Sequence, residues 1–374
     1  MKVRVDRDVF ADAVAWTARS LPSRPTLPIL AGLLLDVGAD ELTLSGFDYE
    51  VSARATVAVR GDEPGTVLVS GRLLSEITRS LPGQPVDIVT DGARVVVTCG
   101  AARFALPTLP VEDYPSLPAM PHAAGTVGGD AFAAAVTSVA VAAGRDDTLP
   151  FLTGMRMEFE DELVTLAATD RYRLAVRELR WDPTGPASSA VALVPARTLA
   201  ETAKAFAAGG EVTIALSSGT AGEGMMGFEA LGRRTTTRLL DSEFPKYRSL
   251  IPSTFAATAE IPTPAFAEAL RRVSLVVART SPVRLSFATD EVLLEAGGGD
   301  EAQASEALPA EFTGDPFTIA FNPGYLLDGL SALGSEVARM VFTTPDKPAV
   351  LTLGGGGQDD GDYRYLLMPV RLFS

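Results

Sequence analysis

The strongest constraint on the fold of this 374-residue chain is an internal repeat. Two short elements recur three times in the same order. The first opens a stretch of helical apolar spacing after a short alternating strand, and its marker residues are Phe10, Phe132 and Phe266. The second follows a strand in each copy, and its marker residues are Leu74, Leu199 and Leu326. The phenylalanines lie 122 and 134 residues apart and the leucines 125 and 127. This periodicity predicts three similar structural units.

Each unit is predicted to combine helices with short antiparallel strands. The segments between the helices alternate like strands, as at 41–48 and 162–170, and are bounded by Gly, Asp and Pro. One unit therefore corresponds to two helices and about eight short strands, which is an α+β fold. Turn-rich segments at 113–118 and 244–252 separate the units. We predict three repeated domains at 1–121, 125–250 and 255–374.

Charge is distributed unevenly between the helices and the rest of the chain. The formal net charge of −15 argues against a protein that grips nucleic acid over a broad basic surface. The predicted helices are 8–21, 71–81, 130–145, 197–208, 264–279 and 323–333. They carry nine basic and seven acidic residues, whereas the remainder of the chain carries a net −17. Any contact with DNA must therefore be local and enclosed. The basic residues of the helices could equally be ordinary solvated charges with no role on DNA.

A repeat with mildly basic helices and acidic sheets suits a closed ring, with its helices inside and its sheets outside. Two chains would supply six units and twelve helices. At about 10 Å per helix, the circumference is about 120 Å and the bore roughly 28 Å, which admits a duplex and its water. Arginines near the phosphates would give weak attraction without sequence preference. Topology rather than affinity would then retain the DNA.

The sequence gives no indication of an enzyme, a cofactor site or a metal site. It contains no Gly-Lys-Ser/Thr phosphate loop and no nucleophile elbow, and the glycine run 354–357 lacks a lysine that could meet a phosphate. Asp170 is followed by Arg171, which would keep the carboxylate ionised and structural. The single histidine, His122, and the single cysteine, Cys99, cannot build a zinc site or a disulfide framework.

Membrane insertion and export are not expected from the sequence. No run of 18 or more apolar residues occurs in the chain. Residues 1–6 alternate like a strand and do not open a signal peptide. We therefore expect a cytoplasmic protein.

Several motifs resemble those of the bacterial DNA polymerase III β subunit, the β sliding clamp. They lie at 24–30, 45–48, 152–155, 168–176 and 365–372, so that the resemblance spans essentially the whole chain. It implies the DNA clamp fold and a head-to-tail homodimer that forms a six-domain ring around double-stranded DNA. It further implies a non-catalytic, nucleoid-associated processivity factor that tethers the DNA polymerase III α subunit. An ATP-driven clamp loader would open the ring.

The resemblance also implies a hydrophobic pocket between the second and third domains, which receives short linear motifs of partner proteins. The matching positions are Leu152, Thr169, Arg171, Tyr172, Arg173, Leu174, Pro245, Leu250, Leu366, Met368, Pro369, Val370, Arg371 and Leu372. Apolar side chains would give an adaptable floor, while Arg173 and Arg371 could bind carbonyl or carboxylate groups. From the residues alone, the end of an edge strand is the alternative for Met368 and Pro369.

Three features depart from the family pattern. Arg171 and Tyr172 stand where clamps commonly have Gly-His, and Ser249 stands where many clamps have an arginine. The rim of the pocket is therefore expected to prefer different peptide side chains. Phe373 and Ser374 extend past the usual terminus and could cover part of the pocket or fray.

Two further sets of residues are expected from the helices and the resemblance together. The DNA-proximal set is Arg24, Arg72, Arg79, Arg145, Arg197, Lys204 and Arg279. The dimer interface would place Arg103, Phe104 and Leu106 against Leu275, Val276, Glu301 and Glu306 of a second chain. Opposed charges there would favour head-to-tail pairing. A solvated loop charge remains the alternative for Arg24.

Two other functions remain open at this stage. The chain could be a duplicated clamp copy with a specialised role, such as tolerance of a clamp-targeting inhibitor. It could also be a protein scaffold with no role on DNA.

Overall fold

A computed structural model describes residues 1–22, 24–185, 189–217, 224–277, 281–298, 302–355 and 363–371. Its α-helices are α1 (Arg7–Thr17), α2 (Gly71–Ser80), α3 (Gly129–Ala140), α4 (Pro150–Thr153), α5 (Ala196–Phe206), α6 (Thr263–Val273) and α7 (Pro323–Leu333). Short 3-10 turns occupy Ala18–Ser20, Pro28–Ala31, Val111–Asp113, Tyr247–Leu250 and Ser274–Val276. The six helices predicted from the sequence are thus present, with α4 as a short addition.

The strands fall into three sets along the chain. The first set is β1 (Lys2–Val5), β2 (Gly32–Val37), β3 (Glu41–Phe47), β4 (Val51–Ala58), β5 (Arg60–Glu63), β6 (Gly65–Ser70), β7 (Val86–Asp91), β8 (Arg94–Cys99) and β9 (Ala102–Leu109). The second is β10 (His122–Gly128), β11 (Gly154–Glu160), β12 (Leu163–Thr169), β13 (Arg173–Arg180), β14 (Asp182–Pro183), β15 (Ala190–Pro195), β16 (Glu211–Leu216), β17 (Met225–Ala230) and β18 (Arg233–Arg238). The third is β19 (Ala257–Pro262), β20 (Val283–Ala288), β21 (Glu291–Ala296), β22 (Ala304–Pro309), β23 (Glu311–Thr313), β24 (Phe317–Phe321), β25 (Val337–Phe342), β26 (Ala349–Leu353) and β27 (Tyr363–Leu367).

Strand pairing repeats with the sets. The first strand of each set pairs with the fifth and the seventh, the second strand with the third and the sixth, and the eighth strand with the seventh and the ninth, always antiparallel. Among the described residues each set has nine strands, one more than the sequence predicted. The surplus is the short fifth strand (β5, β14, β23), which spans two to four residues and has too little alternation to be recognised.

Successive sets are joined by one strand pair each. The last strand of the second set, β18, pairs with β4 of the first set. The last strand of the third set, β27, pairs with β13 of the second set. Both joints are antiparallel, so that the sheets run on from one repeat to the next.

The chain divides into two compact units, and the division crosses the second set of strands. Unit 1 contains the described residues of Met1–Asp130, Asp182–Gly185 and Ala205–Leu239, and its described strands form a 14-stranded sheet. Unit 2 contains the described residues of Ala131–Trp181, Pro186–Lys204 and Leu240–Ser374, with sheets of nine and four strands. The second set thus contributes strands to both units because each half of it is paired with a neighbouring set.

The repeat markers form the core on which the helices pack. Phe10, Phe132 and Phe266 are fully buried, and Leu74, Leu199 and Leu326 are at most 1% exposed. Their burial confirms that the two recurring elements are core faces of helices.

Helix ends follow the local sequence. The Asp6 side chain accepts hydrogen bonds from the amides of Asp8 and Val9 at the start of α1, and Asn322 caps α7 through the amide of Tyr325. Gly334 ends α7 in the left-handed conformation, with φ at 67°.

Candidate functional site

The turn between β12 and β13 positions the centre of the candidate site in unit 2. The Asp170 carboxylate accepts hydrogen bonds from the amides of Tyr172 and Arg173, both at 3.0 Å. Arg171 adopts a φ of 80°, which an L-residue other than glycine adopts only at some cost. The Asp170 turn compensates this cost, and it leaves Tyr172 56% exposed at the surface.

Arg173 lies next in the chain, and its guanidinium is already engaged. Its Nε donates to Asp170 at 3.0 Å, while one terminal nitrogen donates to Asp328 at 2.5 Å and to the Tyr365 hydroxyl at 3.3 Å. The guanidinium carbon lies 4.4 Å from the ring centroid of Tyr325. Burial alone would lower the pKa of Arg173, but these partners outweigh it and raise the pKa. The residue therefore holds β13 to α7.

A cavity of about 610 Å³ opens beside this cluster. Its walls are the turn 170–173, the loop around Arg145 and Asp146, and the first turn of α7. Tyr172 and Tyr325 are stacked on one wall, with ring centroids 6.2 Å apart. Of the predicted pocket residues, this cavity brings together Leu152, Arg171, Tyr172 and Arg173.

A hydrophobic cluster in the same unit contains further predicted pocket residues. Leu174 and Leu366 are buried in it, together with Phe244 and Tyr247, and Ile251 packs against it. Thr169 is buried and its hydroxyl donates to the Arg173 carbonyl at 2.7 Å. These side chains form a floor rather than a binding surface.

Three large apolar side chains close in sequence to members of this cluster remain exposed. Leu250 is 51% exposed, Met368 41% and Val370 37%, whereas Pro245 and Pro369 are half-buried and Arg371 is exposed. The Met368 amide donates to the Tyr172 carbonyl at 2.9 Å, which ties the segment after β27 to the turn before β13. Leu372, Phe373 and Ser374 lie outside the described residues.

A second cavity, of about 710 Å³, contains a buried carboxylate that the sequence analysis missed. Glu158 is 6% exposed and accepts hydrogen bonds from Arg156 at 2.5 Å, Arg248 at 2.5 Å and the Tyr247 hydroxyl at 2.9 Å. Burial opposes its charge, but these donors outweigh it and hold the pKa of Glu158 below its usual value. Burial and the neighbouring Glu158 raise the pKa of Tyr247 to about 12. Pro245 and Ser249 line the same cavity.

Asp328, Tyr325 and Glu158 carry no local motif that would have revealed these roles. Arg173 and Asp328 are 155 positions apart, and Glu158 and Arg248 are 90 positions apart. They meet only in the folded chain, where α7 lies against β13 and the turn Tyr247–Leu250 lies against β11.

All described members of the DNA-proximal set are exposed: Arg24, Arg72, Arg79, Arg145, Arg197 and Lys204. Arg279 lies outside the described residues. Two of the set are held by glutamates on their own helices, Arg72 by Glu76 and Arg197 by Glu201. Arg79 and Lys204 form no ion pair with any residue that the structure describes.

The described members of the predicted interface lie on β9, on β22 and in the 3-10 turn Ser274–Val276. On β9, Arg103 is exposed, Phe104 is half-buried and Leu106 is only 2% exposed within the chain. Leu275 is 85% exposed and Val276 is half-buried. Glu306 on β22 binds Arg272 of its own chain at 2.6 Å, and Glu301 lies outside the described residues.

Within the described residues, no group of three or more His, Cys, Asp or Glu side chains is placed to hold a metal ion. In the same part of the chain, no helix has the length and apolar character needed to cross a membrane. Cys99 is buried and His122 is exposed at the start of β10.

Three family models match the chain in succession. They describe the N-terminal, central and C-terminal domains of the DNA polymerase III beta subunit and match residues 1–118, 126–246 and 248–371. The fold is therefore that of a three-domain DNA clamp.

Relatives and solved structures agree with this assignment. The chain is 59% identical to a beta sliding clamp of Streptomyces coelicolor, over 100% of both chains. It is 45% identical to the beta sliding clamp homolog GriR of Streptomyces muensis, over 99% of both chains. A crystal structure of the Pseudomonas aeruginosa sliding clamp bound to griselimycin matches with a TM-score of 0.90 at 27% identity, over 100% of both chains. The chain belongs to the bacterial DNA polymerase III β subunit family, the β sliding clamps.

The Glu158 cluster predicts an acid-sensitive contribution to stability. Because the pKa of Glu158 is lowered in the folded chain, its contribution is present above the usual value of 4.5 and is lost as the pH falls through the folded value. We expect Glu158→Gln to cost about 1–3 kcal/mol of unfolding free energy at pH 7, because three donors lose their charged acceptor. The difference in unfolding free energy between this variant and the unsubstituted chain should become smaller below about pH 4.5.

Urea unfolding between pH 3 and pH 8 measures this difference. Glu160→Gln is the matched control, since Glu160 lies on the same strand but is exposed and 3.8 Å from Arg248. A loss of stability that is the same at every pH would contradict the role of the buried charge.

Proposed function

We propose that two copies of this chain close head to tail into a six-domain ring that encircles duplex DNA. The observation that carries the proposal is a pair of strand edges without partners. In the described residues, β4 and β13 are each paired with the last strand of the following set, whereas β22 pairs only with β21. Residues 102–107 of β9, the last strand of the first set, pair only with β8. By the same rule, β9 of one copy pairs with β22 of another.

The two intrachain joints also supply the register of the proposed joint. Arg233, the first residue of β18, lies opposite Ala55, and Tyr363, the first residue of β27, lies opposite Arg177. Each partner stands three residues before the end of its strand. The same rule places Ala102 opposite Glu306, and hence Arg103 opposite Ser305 and Phe104 opposite Ala304.

The side chains at these edges are consistent with such a joint. Arg103 and Leu275 are exposed, so that they can contact a second copy. In this register Arg103 would share a sheet face with Ser305, which is also exposed, whereas Glu306 would lie on the other face with Ala102. Leu106 is already buried within its own chain, so that it would hold β9 in place and would not contact the second copy. Pairing of an edge of the first set with an edge of the third set joins unlike ends of two copies, which is a head-to-tail arrangement.

DNA would be held by enclosure rather than by a committed binding surface. The exposed arginines and the lysine of the DNA-proximal set would attract phosphates weakly and without sequence preference. The strongly negative remainder of the chain opposes binding elsewhere on the surface.

We further propose that the exposed apolar residues Leu250, Met368 and Val370 receive linear motifs of the DNA polymerase III α subunit, the clamp loader and other partners. The buried cluster contains Leu366, two residues before Met368, and Ile251, the neighbour of Leu250, packs against it, so that both exposed residues are attached to rigid structure. Arg173 positions the Tyr172 and Tyr325 wall, because its guanidinium is bound within the chain. Arg171, Arg371 and Ser249 would select among peptides at the rim.

In this role the protein acts without catalysis and without a cofactor, in the cytoplasm and on the nucleoid. The proposed domain boundaries are 1–121, 125–250 and 255–374. The higher identity to the S. coelicolor clamp than to the GriR homolog supports the general clamp function over that of a specialised second copy.

Encirclement predicts that retention depends on DNA topology. The protein, loaded onto a nicked circular duplex by a clamp loader, should stay bound through gel filtration and be lost when the circle is cut once. Cutting changes no phosphate contact along the duplex, so that only threading explains the loss. Equal retention on circles and on linear DNA with open ends would contradict the proposal.

The proposed register predicts one disulfide across the joint. In Arg103→Cys with Ser305→Cys the two side chains lie directly opposite on adjacent antiparallel strands, with Cα atoms roughly 4.5–5.5 Å apart, which suits a disulfide. Oxidation should give a covalent dimer on a non-reducing gel. Phe104→Cys with Ser305→Cys is the control, since these side chains point to opposite faces. Cross-linking of the control but not of the matched pair would refute this register.

The peptide site predicts that truncation of its exposed apolar residues weakens partner binding. Leu250→Ala or Met368→Ala should each cost about 1 kcal/mol, roughly a five-fold loss of affinity, for a polymerase-derived clamp-binding peptide. Fluorescence anisotropy measures this affinity. Val191→Ala, which is 57% exposed on an edge strand of the same unit, should have no effect. Unchanged affinity in both pocket variants would exclude this surface.

A further inference from the structure

The second helices of the first two repeats carry the same ion pair at the same place. On α2, Arg72 Nε lies 3.1 Å from Glu76 Oε1, and on α5, Arg197 Nε lies 3.1 Å from Glu201 Oε1. Both arginine side chains are at least 90% exposed. The pairs are four residues apart, so that both members lie on one face of their helix.

A second cation extends each pair along the same face. Arg79 stands three residues after Glu76, and Lys204 stands three residues after Glu201. Each helix therefore presents a stripe in which one glutamate separates two cations that lie seven residues, or about 10 Å, apart.

Helix stability does not account for this arrangement. Arg72 and Arg197 are each the second residue of their helix, where the helix dipole disfavours a cation, and a glutamate before the cation would be the more stabilising order. An exposed pair of this kind also contributes little to folding.

In the third repeat the equivalent acidic residue has no arginine on its own helix and pairs with another part of the chain. Gly324 and Asp328 of α7 stand at the equivalent positions, and Asp328 binds Arg173. The carboxylate is thus used for internal contact where its own helix offers no arginine. In the first two repeats the described ion-pair partner of the glutamate is the helix arginine itself.

We propose that Glu76 and Glu201 are positioning residues that compete with DNA phosphates for Arg72 and Arg197. Each carboxylate forms an ion pair with a guanidinium that would otherwise bind a phosphate. The stripe then keeps a net single positive charge, which attracts the duplex but lets it pass. The glutamates thereby keep the clamp mobile along DNA. This inference rests on the proposed encirclement of DNA.

The test is one-dimensional diffusion of the fluorescent clamp on a linear duplex with blocked ends. In Glu76→Gln with Glu201→Gln, four arginines per ring are released, and diffusion at low salt should slow about 16-fold, that is about two-fold for each of the four pairs. Raising the salt concentration should remove the difference, because each newly engaged arginine adds roughly 0.9 to the salt dependence of binding. In an Arg72→Gln with Arg197→Gln background the glutamate substitutions should have little effect.

The matched control changes the net charge equally, but at positions outside the helices. Glu162→Gln with Glu229→Gln also removes two carboxylates that pair with arginines, namely Arg180 and Arg234. Slowing by the helix variant alone supports the inference, whereas unchanged diffusion of that variant, or equal slowing by the control, overturns it. Loss of every variant from end-blocked DNA would instead contradict encirclement itself.

Discussion

Pairing of edge strands between successive repeats is the interaction on which the rest of this structure depends. A repeat of this design leaves its fourth and ninth strands with open edges, and open edges are liable to uncontrolled pairing. Within the chain four such edges are closed in two joints, by β18 on β4 and by β27 on β13. The central repeat is consequently paired with both of its neighbours, which explains why the compact units cut across it.

The second of these joints, between β27 and β13, creates the candidate site. Pairing of β27 with β13 places Leu367 opposite Arg173 and carries the exposed segment 368–371 past the turn that holds Tyr172. It also brings Tyr365 and Asp328 to the Arg173 guanidinium. A binding surface assembled at a joint between repeats is a consequence of how the repeats are linked, since neither repeat contains its parts alone.

Much of the fold was predictable because the spacing of apolar residues along the sequence indicates helices and strands locally. The three phenylalanines and three leucines marked helices whose core faces are buried. All six helices begin within one residue of the predicted start, but α1, α3 and α6 end four to six residues before the predicted end. Periodicity shows which face of a strand is buried, but it does not identify the partner strand. The joints, the Arg173 contacts with Asp328 and the Glu158 cluster therefore could not be derived from residue patterns. The peptide-site residues were obtained from family resemblance, which carries that long-range information.

The proposed ring contains two kinds of joint with the same strand pattern but different thermodynamics. The joints of β18 with β4 and of β27 with β13 lie within one covalent chain, so that the tether keeps the effective concentration of each strand for its partner high. A joint between β9 and β22 of separate chains has no tether across it and must offset the translational and rotational entropy of association. With comparable strand contacts, it is the weaker joint. A ring that must admit a duplex would therefore open between chains, while the joints within each chain keep the peptide site intact.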